Sequence, residues 1–548
     1  MRRLLILLLF MAAGKAVSAQ LVVDGRQAAW DKLTNTFLAT IPEDYFNQSM
    51  TLSIATDSTW NNVTINGETI KNGFTFNDIS ADQTALITYE DKNHDSICAQ
   101  LRFTFLPIVL LQGEFGYDYT EGTILLSSPD NAATDTLPAS LKWRGGSTNT
   151  PDKHKRNYKV KLNEDKSLLG MRNDDSWVLD AGQADVFRLR NRVAMDLWND
   201  MAHSPYYINK EPAARNGVSG KVIELFLNDE YRGIYNLSEN LDRKQMKLKK
   251  VKDGEVRGCL YKVKGYGYGN MYDTVDLYDN HSVRWELIEA KYPDLQDNDT
   301  TDWSTLYNAL NFVTFSTDEE FEEHVEEYFD LPVLADFCIF AAALSALDNR
   351  GKNTFWAVYD KTKDKKLTPA PWDLDCTTGQ EWAVDINTPD ILIDIGLGVV
   401  YRLNEHNVLN FNDTLNCRYH QLRKTLLHTD SLISRYDYYY TLVTQSGAAA
   451  REENLWSGDS DVRGDTICFK EELAYIHSWL TLHLDLLDEA YFPLYKWYEW
   501  IEGVEEVKNA PTGIPDALYT IGGQRVVATS RPKPGIYIRN GKKVVIRR

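Results

Sequence analysis

Between residues 342 and 379 the chain reads AALSALDNRGKNTFWAVYDKTKDKKLTPAPWDLDCTTG, and its acidic and amide residues are spaced for chemistry. Asp348 and Asn353 stand five positions apart in a polar loop. Two strand-like runs follow, 354–359 and 367–369, joined by a charged turn at 360–366, and the second delivers Asp373 and Asp375 within Pro-Trp-Asp-Leu-Asp. A carboxylate to accept a hydroxyl proton, an amide oxygen for a metal ion, a hairpin, then a metal-binding carboxylate: phosphoryl transfer uses its parts in this order. Each part alone is common, because Asx residues populate loops for turn chemistry and aspartates after strands cap helices. The order is the specific signal. It requires a phosphate-binding region upstream.

The elements that would position these groups are legible around them. An apolar run, LPVLADFCIFAAALSAL from Leu331, predicts the helix that ends at Asp348. From Gly113, the runs GTILLSS and ASLKWRG lead into Arg144-Gly145-Gly146-Ser147-Thr148. Residues 157–162 alternate as a strand, with Lys159 and Lys161 on one face and Tyr158, Val160 and Leu162 on the other. A glycine turn beside a strand-borne lysine suits a phosphate, since backbone N–H groups and a point charge both approach the anion. An edge strand with solvated lysines is the plainer reading. Val186, Leu189, Val193 and Leu197 predict an amphipathic helix over 185–201, capped by Asp185, with Arg190 and Asn191 on its solvated side. A hairpin then spans 221–237, turning at Asp229-Glu230 and ending at Ser238-Glu239-Asn240. Residues 241–300 read as a basic, then aromatic and glycine-rich, surface insertion. Helical periodicity resumes at 301–313, 318–329, 415–428, 430–445 and 470–487.

Length and composition bound the whole. At 548 residues, two to four domains are expected, and 43% hydrophobic with 25% charged residues is ordinary globular composition. A net charge of −20 argues against a nucleic-acid partner. Residues 1–19 carry Arg2, Arg3, an apolar run and Val17-Ser18-Ala19, which predicts a secretion signal and an exported protein. No later run reaches the ~20 apolar residues of a membrane-spanning helix. Short alternating runs over 20–112 predict a small β-sandwich, and the tail at 501–548 a β module with a hairpin at Asn540-Gly541. The core between them, 113–500, divides at about residue 240 into a small and a large lobe. The six cysteines form no C-x-x-C, so buried free thiols are expected rather than a zinc site.

The segments LKWRGGSTNT, KHKRNYKVKL, WVLDAG, DVFRLRN, VIELFLNDEYRGIYNLSENLDRKQ, LDNRGKN and PWDLD together resemble the spore-coat CotH kinase family over roughly residues 113–490. The resemblance implies an α+β, bilobal, atypical protein-kinase-like core that uses ATP and Mg²⁺ or Mn²⁺. It implies Asp348 as the catalytic aspartate, Asn353 and Asp373 as metal ligands and Asp375 as a second possible carboxylate ligand. Lys161 would hold the ATP phosphates, and Arg144, Arg190 and Glu239 match further motif positions, with Arg144 and Glu239 placed among the nucleotide-binding residues. The tail segments LYTIGGQRVV and KPGIYIRNGKKVVIRR resemble the C-terminal secretion or attachment modules of Bacteroidota proteins. The implied function is transfer of a γ-phosphate to Ser or Thr hydroxyls of a protein partner. The alternative is a surface binding or structural protein that keeps the fold without turnover. A glycan hydrolase built on Asp373 and Asp375, about 7 Å apart as residues i and i+2 of a strand, ranks lower. That chemistry has no use for the upstream lysine strand.

Overall fold

The computed structural model describes residues 21–492 except Ser147, Thr274, Asp297, 382–387, Ile391, Asp394 and 463–465, together with three strands beyond residue 517. The secretion signal and the Asn540-Gly541 turn lie outside the described residues. Residues up to Tyr491 form one compact unit and Phe492–Arg548 a second. The second holds an antiparallel sheet of Leu518–Thr520, Gly535–Arg539 and Lys542–Ile546.

The first unit mixes α and β elements in three parts. Near its start, a four-stranded and a six-stranded sheet enclose a core that includes Phe37, Ile65, Ile87, Leu101 and Phe103. Seven strands then close a barrel: Ile108–Gly113, Thr120–Ser128, Asn131–Arg144, Asn157–Ser167, Asn173–Asp180, Gly220–Leu227 and Glu230–Glu239. Closure comes from the parallel pairing of Ile108–Leu111 with Glu224–Leu227. Tyr158, Val160 and Leu162 fill the barrel with Leu141, Trp177 and Leu237, so the strand alternation turns Lys159 and Lys161 outward. The long hairpin turns at Asn228-Asp229, one residue earlier than the sequence pattern suggests. Both residues there have positive φ (50° and 62°), as a tight two-residue turn demands, and Asn and Asp tolerate it best.

The third part is a five-stranded sheet packed with helices. Its order is Arg284–Trp285, Ile288–Tyr292, Cys259–Val263, Thr354–Val358, Thr368–Pro371. Three of these strands come from the segment read as a surface insertion, where glycines and lysines hide a buried, alternating pattern. The helices include Ser304–Phe315, Asp318–Tyr328, Leu331–Leu344, Phe411–Arg423, Thr429–Gln445 and Phe469–Leu486. Two more, Gly398–Glu405 and Ala448–Trp456, are too short to leave a clear period. The amphipathic helix runs only Arg190–Met201, because Gly182 and Arg188 take positive φ and fold the preceding residues into a turn. Leu189 rather than Asp185 stands at its N-cap, and Asp185, from the preceding turn, accepts hydrogen bonds from the N–H groups of Phe187 and Arg190. None of the six cysteines forms a disulfide; Cys259, Cys338 and Cys376 are buried as expected, whereas Cys417 and Cys468 are half-buried and Cys98 is exposed.

Buried charges tie the barrel to the helices. Glu452, fully buried on the Ala448–Trp456 helix, accepts from Lys155 Nζ, Arg188 Nε at 2.7 Å and the N–H of Ile234 at 2.7 Å. Lys155 also donates to the carbonyls of Arg232 and Ile234. Gly233 leaves the room: a Cβ there would stand 1.9 Å from Glu452 Oε2. Beside it, Arg451 grips buried Glu224 through two bonds of 2.8 and 2.9 Å. Removing one partner of such a set strands the others. Glu452→Gln is therefore expected to lower stability by about 3–5 kcal/mol, read as the shift of the urea unfolding midpoint. Unfolding unchanged from wild type would show that the buried charges carry no net weight.

Candidate functional site

The helix Leu331–Leu344 ends where Ser345 takes a positive φ, and a single 3-10 turn, Leu347–Asn349, brings up Asp348. The loop that follows is stapled to the hairpin by Asn349. Its buried side-chain amide donates to the carbonyls of Asn353 (3.2 Å) and Trp372 (2.8 Å). Trp372 N–H donates to the same Asn353 carbonyl at 2.9 Å, and Thr354 pairs with Pro371. Strand pairing thus sets the two ends of the hairpin, Asn353 and Asp373, side by side. Both have left-handed backbones (φ 51° and 61°), an uncommon state for residues other than glycine that Asn and Asp tolerate best.

Asp348 is nearly buried and both its oxygens are held. Asn353 Nδ2 donates to Oδ2 at 2.7 Å, and the Lys352 ammonium sits 2.5 Å from Oδ1. Burial nevertheless raises the Asp348 carboxyl above its usual range, Lys352 opposing and Asp373 adding to it. The Asn353 amide uses its nitrogen in this contact. Asp375, partly accessible at the surface but desolvated by the protein around it, is raised well above the carboxylate range. Burial is the main cause, and the negative charges of Asp373, Asp180, Asp185 and Asp348 add to it.

Asp180, at the end of a barrel strand, joins this group. Burial and then Asp373 raise its carboxyl. Asn191, on the first turn of the Arg190–Met201 helix, donates to Asp180 Oδ2 at 2.7 Å and accepts from the Leu374 N–H at 3.2 Å. One amide thereby bridges the barrel and the Asp-Leu-Asp segment. Arg190 is fully buried and bonds Asp185 (2.6 Å), Glu472 (2.5 Å) and the carbonyl of Thr378 (3.3 Å). Neither residue lies on a solvated face as the helical pattern suggested. The apolar stripe marks the buried side, but it cannot reveal that Arg190 is buried and Asn191 half-buried at the helix start, while Asn199 and Asp200 at its end are exposed.

Cations gather around Trp372 as well. The Arg144 guanidinium lies 5.3 Å from the Trp372 ring centre, and Lys262 Nζ lies 5.8 Å from the same ring and 5.7 Å from that of Phe355. Burial lowers Lys262 to about 8, with Arg144 adding repulsion and Asp373 opposing it. Lys159 is also lowered to about 8, by burial and then by Lys291, Arg144 and Lys142. Among the described residues neither lysine has an ion-pair partner. Arg144, Asp180, Asn191 and Asp373 line one small cavity of about 20 Å³, which places the cationic and anionic halves in contact with a common space.

Two residues singled out from the sequence sit differently. Lys161, two positions beyond Lys159 on the same face, is exposed and its charge acts on Asp175 of the neighbouring strand. Glu239 is buried, and its carboxylate is taken by the N–H groups of Arg172 and Ser219 (both 3.0 Å) and by Gln245 Nε2 (3.2 Å). Asn349, Asp180, Asn191, Lys159 and Lys262 are the site residues that sequence reasoning did not assign. The first three lie in or beside the quoted motifs, whereas Lys262 belongs to a strand that the pattern did not reveal. Tight groups of metal-ligating side chains occur elsewhere, at Asp165, Asp174 and Asp175 and at His154, Asp459 and Asp461. The Lys244 ammonium fills the first at 2.9–3.1 Å, and in the second Asp461 accepts the N–H groups of His154 and Lys155.

Residues 141–482 match the family model described as CotH kinase protein. Comparison with curated proteins returns no match. The matched span exceeds half of the chain and contains every site residue from Arg144 to Asp375, so this chain belongs to the CotH kinase family.

Proposed function

We propose that this protein is an exported, ATP- and divalent-metal-dependent kinase with a bilobal arrangement, in which the barrel and the helical part face each other across the site. It transfers a γ-phosphate to Ser or Thr hydroxyls of a protein. The observation that carries this reading is the meeting of opposite charges at the cavity beside Trp372, where Arg144 stands with Asp180, Asn191 and Asp373. Lys159 and Lys262 feel the Arg144 charge and, among the described residues, have no ion-pair partner, so cationic and acidic sides face each other there. A polyphosphate bridged to a metal ion satisfies both sides at once.

Asn353, Asp373 and Asp375 offer only oxygen ligands, the set that suits Mg²⁺ or Mn²⁺. Burial chiefly raises Asp375, and the repulsion from neighbouring carboxylates that adds to it is what a divalent cation would relieve. Bound there, such an ion would neutralise charge on the β- and γ-phosphates. The chain's own residues supply the rest. Arg144, Lys159 and Lys262 hold the phosphate oxygens, with Lys161 at the outer rim of the same strand face. Asp348 orients the acceptor hydroxyl and takes its proton as the oxygen attacks phosphorus and ADP leaves. Asn353 and Lys352 fix the Asp348 carboxylate, and Asn191 and Asn349 hold its surroundings in register. The tail at 501–548 serves export or surface attachment.

One observation favours a second reading, a binding protein of the same fold without turnover. Both Asp348 oxygens are already held, so an acceptor hydroxyl must displace or share the contact with Lys352. Label transfer from ATP with Mg²⁺ or Mn²⁺, set beside nucleotide binding, separates the two. Asp348→Asn is expected to lower phosphate incorporation by about 10²–10⁴ while leaving metal-dependent ATP binding in place. Incorporation that survives this change refutes the assigned role. Lys159→Met is expected to raise KM for ATP well beyond the effect of Lys161→Met, and the reverse ranking would return the phosphate contact to Lys161. Lys159 is charged below about 8 and neutral above it. Accordingly kcat/KM for ATP is expected to fall as the pH rises through that value, and a profile level to pH 10 would contradict the contact.

A further inference from the structure

A second cavity, of about 400 Å³, lies where the N-terminal sandwich meets the barrel hairpin and the Ala448–Trp456 helix. Leu33, Leu38, Phe226 and Leu455 give it apolar walls, with Leu33 and Leu455 exposed at its edge. It is lined by three charged groups, and two of them are engaged within the protein. Arg451 holds Glu224 through two bonds. Asp31 accepts from the Thr34 hydroxyl and from the N–H groups of Leu33 and Tyr231. Arg102 is the exception. It is half-buried on the Ser96–Thr104 strand, its Nε is shielded and unbonded, and among the described residues no carboxylate pairs with it.

A guanidinium whose Nε is shielded from water and unbonded is left with an unmet donor, and its planar fork matches a carboxylate through two parallel bonds. The volume falls within the range of small-ligand sites, the walls offer carbon, and the second lining cation, Arg451, is already paired with Glu224. One anionic head and a compact apolar body are what such a lining recognises. We propose that this cavity binds a small amphiphilic carboxylate, its head on Arg102 and its apolar body against Leu33, Leu38, Phe226 and Leu455. The site is separate from the one assigned to ATP and does not depend on that assignment.

Sodium octanoate is a suitable probe for the full chain, with 1-octanol matching its body and acetate its head. Calorimetric titration is expected to give saturable octanoate binding that exceeds both controls. Arg102→Met, checked for wild-type circular dichroism and thermal unfolding, is expected to weaken it about tenfold or more, the worth of a charge-assisted hydrogen bond. If that variant does not fold, Leu455→Glu at the exposed edge sets a repelling carboxylate against the head and is expected to weaken binding similarly. Octanol binding as tightly as octanoate overturns the proposal, as does octanoate binding unaffected by both substitutions, or no saturable binding. A peptide with a free C-terminal carboxylate that binds where octanoate does not overturns it as well.

Discussion

The contact on which the rest of the molecule depends is the buried carboxylate of Glu452. A charge in that position is tolerable only when it is surrounded, and the surrounding groups come from distant parts of the chain: Lys155 and Arg188 flank the barrel, and Ile234 belongs to it. Their convergence fixes how the short Ala448–Trp456 helix lies against the long hairpin. It also explains why Gly233 occupies the middle of a strand, where glycine otherwise weakens pairing. The same logic recurs at Arg190, whose three partners hold the start of its helix against Thr378 and Glu472. Both arginines stand in the segment DVFRLRN, so one short stretch supplies two of the anchors.

This framework sets the electrostatics of the site. Carboxylates at positions 180, 348 and 375 are raised chiefly because the packed barrel and helices exclude water from them. Lys159 and Lys262 are lowered for the same reason. Desolvation thus makes opposite charges within one site press toward neutrality. A ligand carrying both a cation and several anionic oxygens reverses both tendencies together.

Much of this was legible in the sequence, and the parts that were not have physical causes. Alternation in the barrel strands and the 3.6-residue period of the longer helices marked elements to within a few residues, because one face of each is buried. The spacing of Asp348, Asn353 and Asp373 was informative because a hairpin makes sequence neighbours into spatial ones. Lys161 and Lys159 could not be ranked, since alternation places both on the same face and only the packing of another part of the chain distinguishes inner from outer. Lys262 was hidden by the glycine- and lysine-rich composition around its strand. Glu239 was placed among the nucleotide-binding residues, whereas its carboxylate is taken by two backbone N–H groups and Gln245, contacts that no side-chain pattern records.

The pairing of Thr354 with Pro371 has a mechanical corollary. The separation of Asn353 and Asp373 is set within a single hairpin, held at its end by one asparagine side chain, and owes nothing directly to the barrel. Lys159 and Arg144, by contrast, ride on the barrel wall. Breathing between the two parts would therefore change the distance from Arg144 and Lys159 to Asp373. The spacing of Asn353 and Asp373 would stay constant, and Lys262, whose strand pairs with Thr354–Val358, would keep its place beside the hairpin.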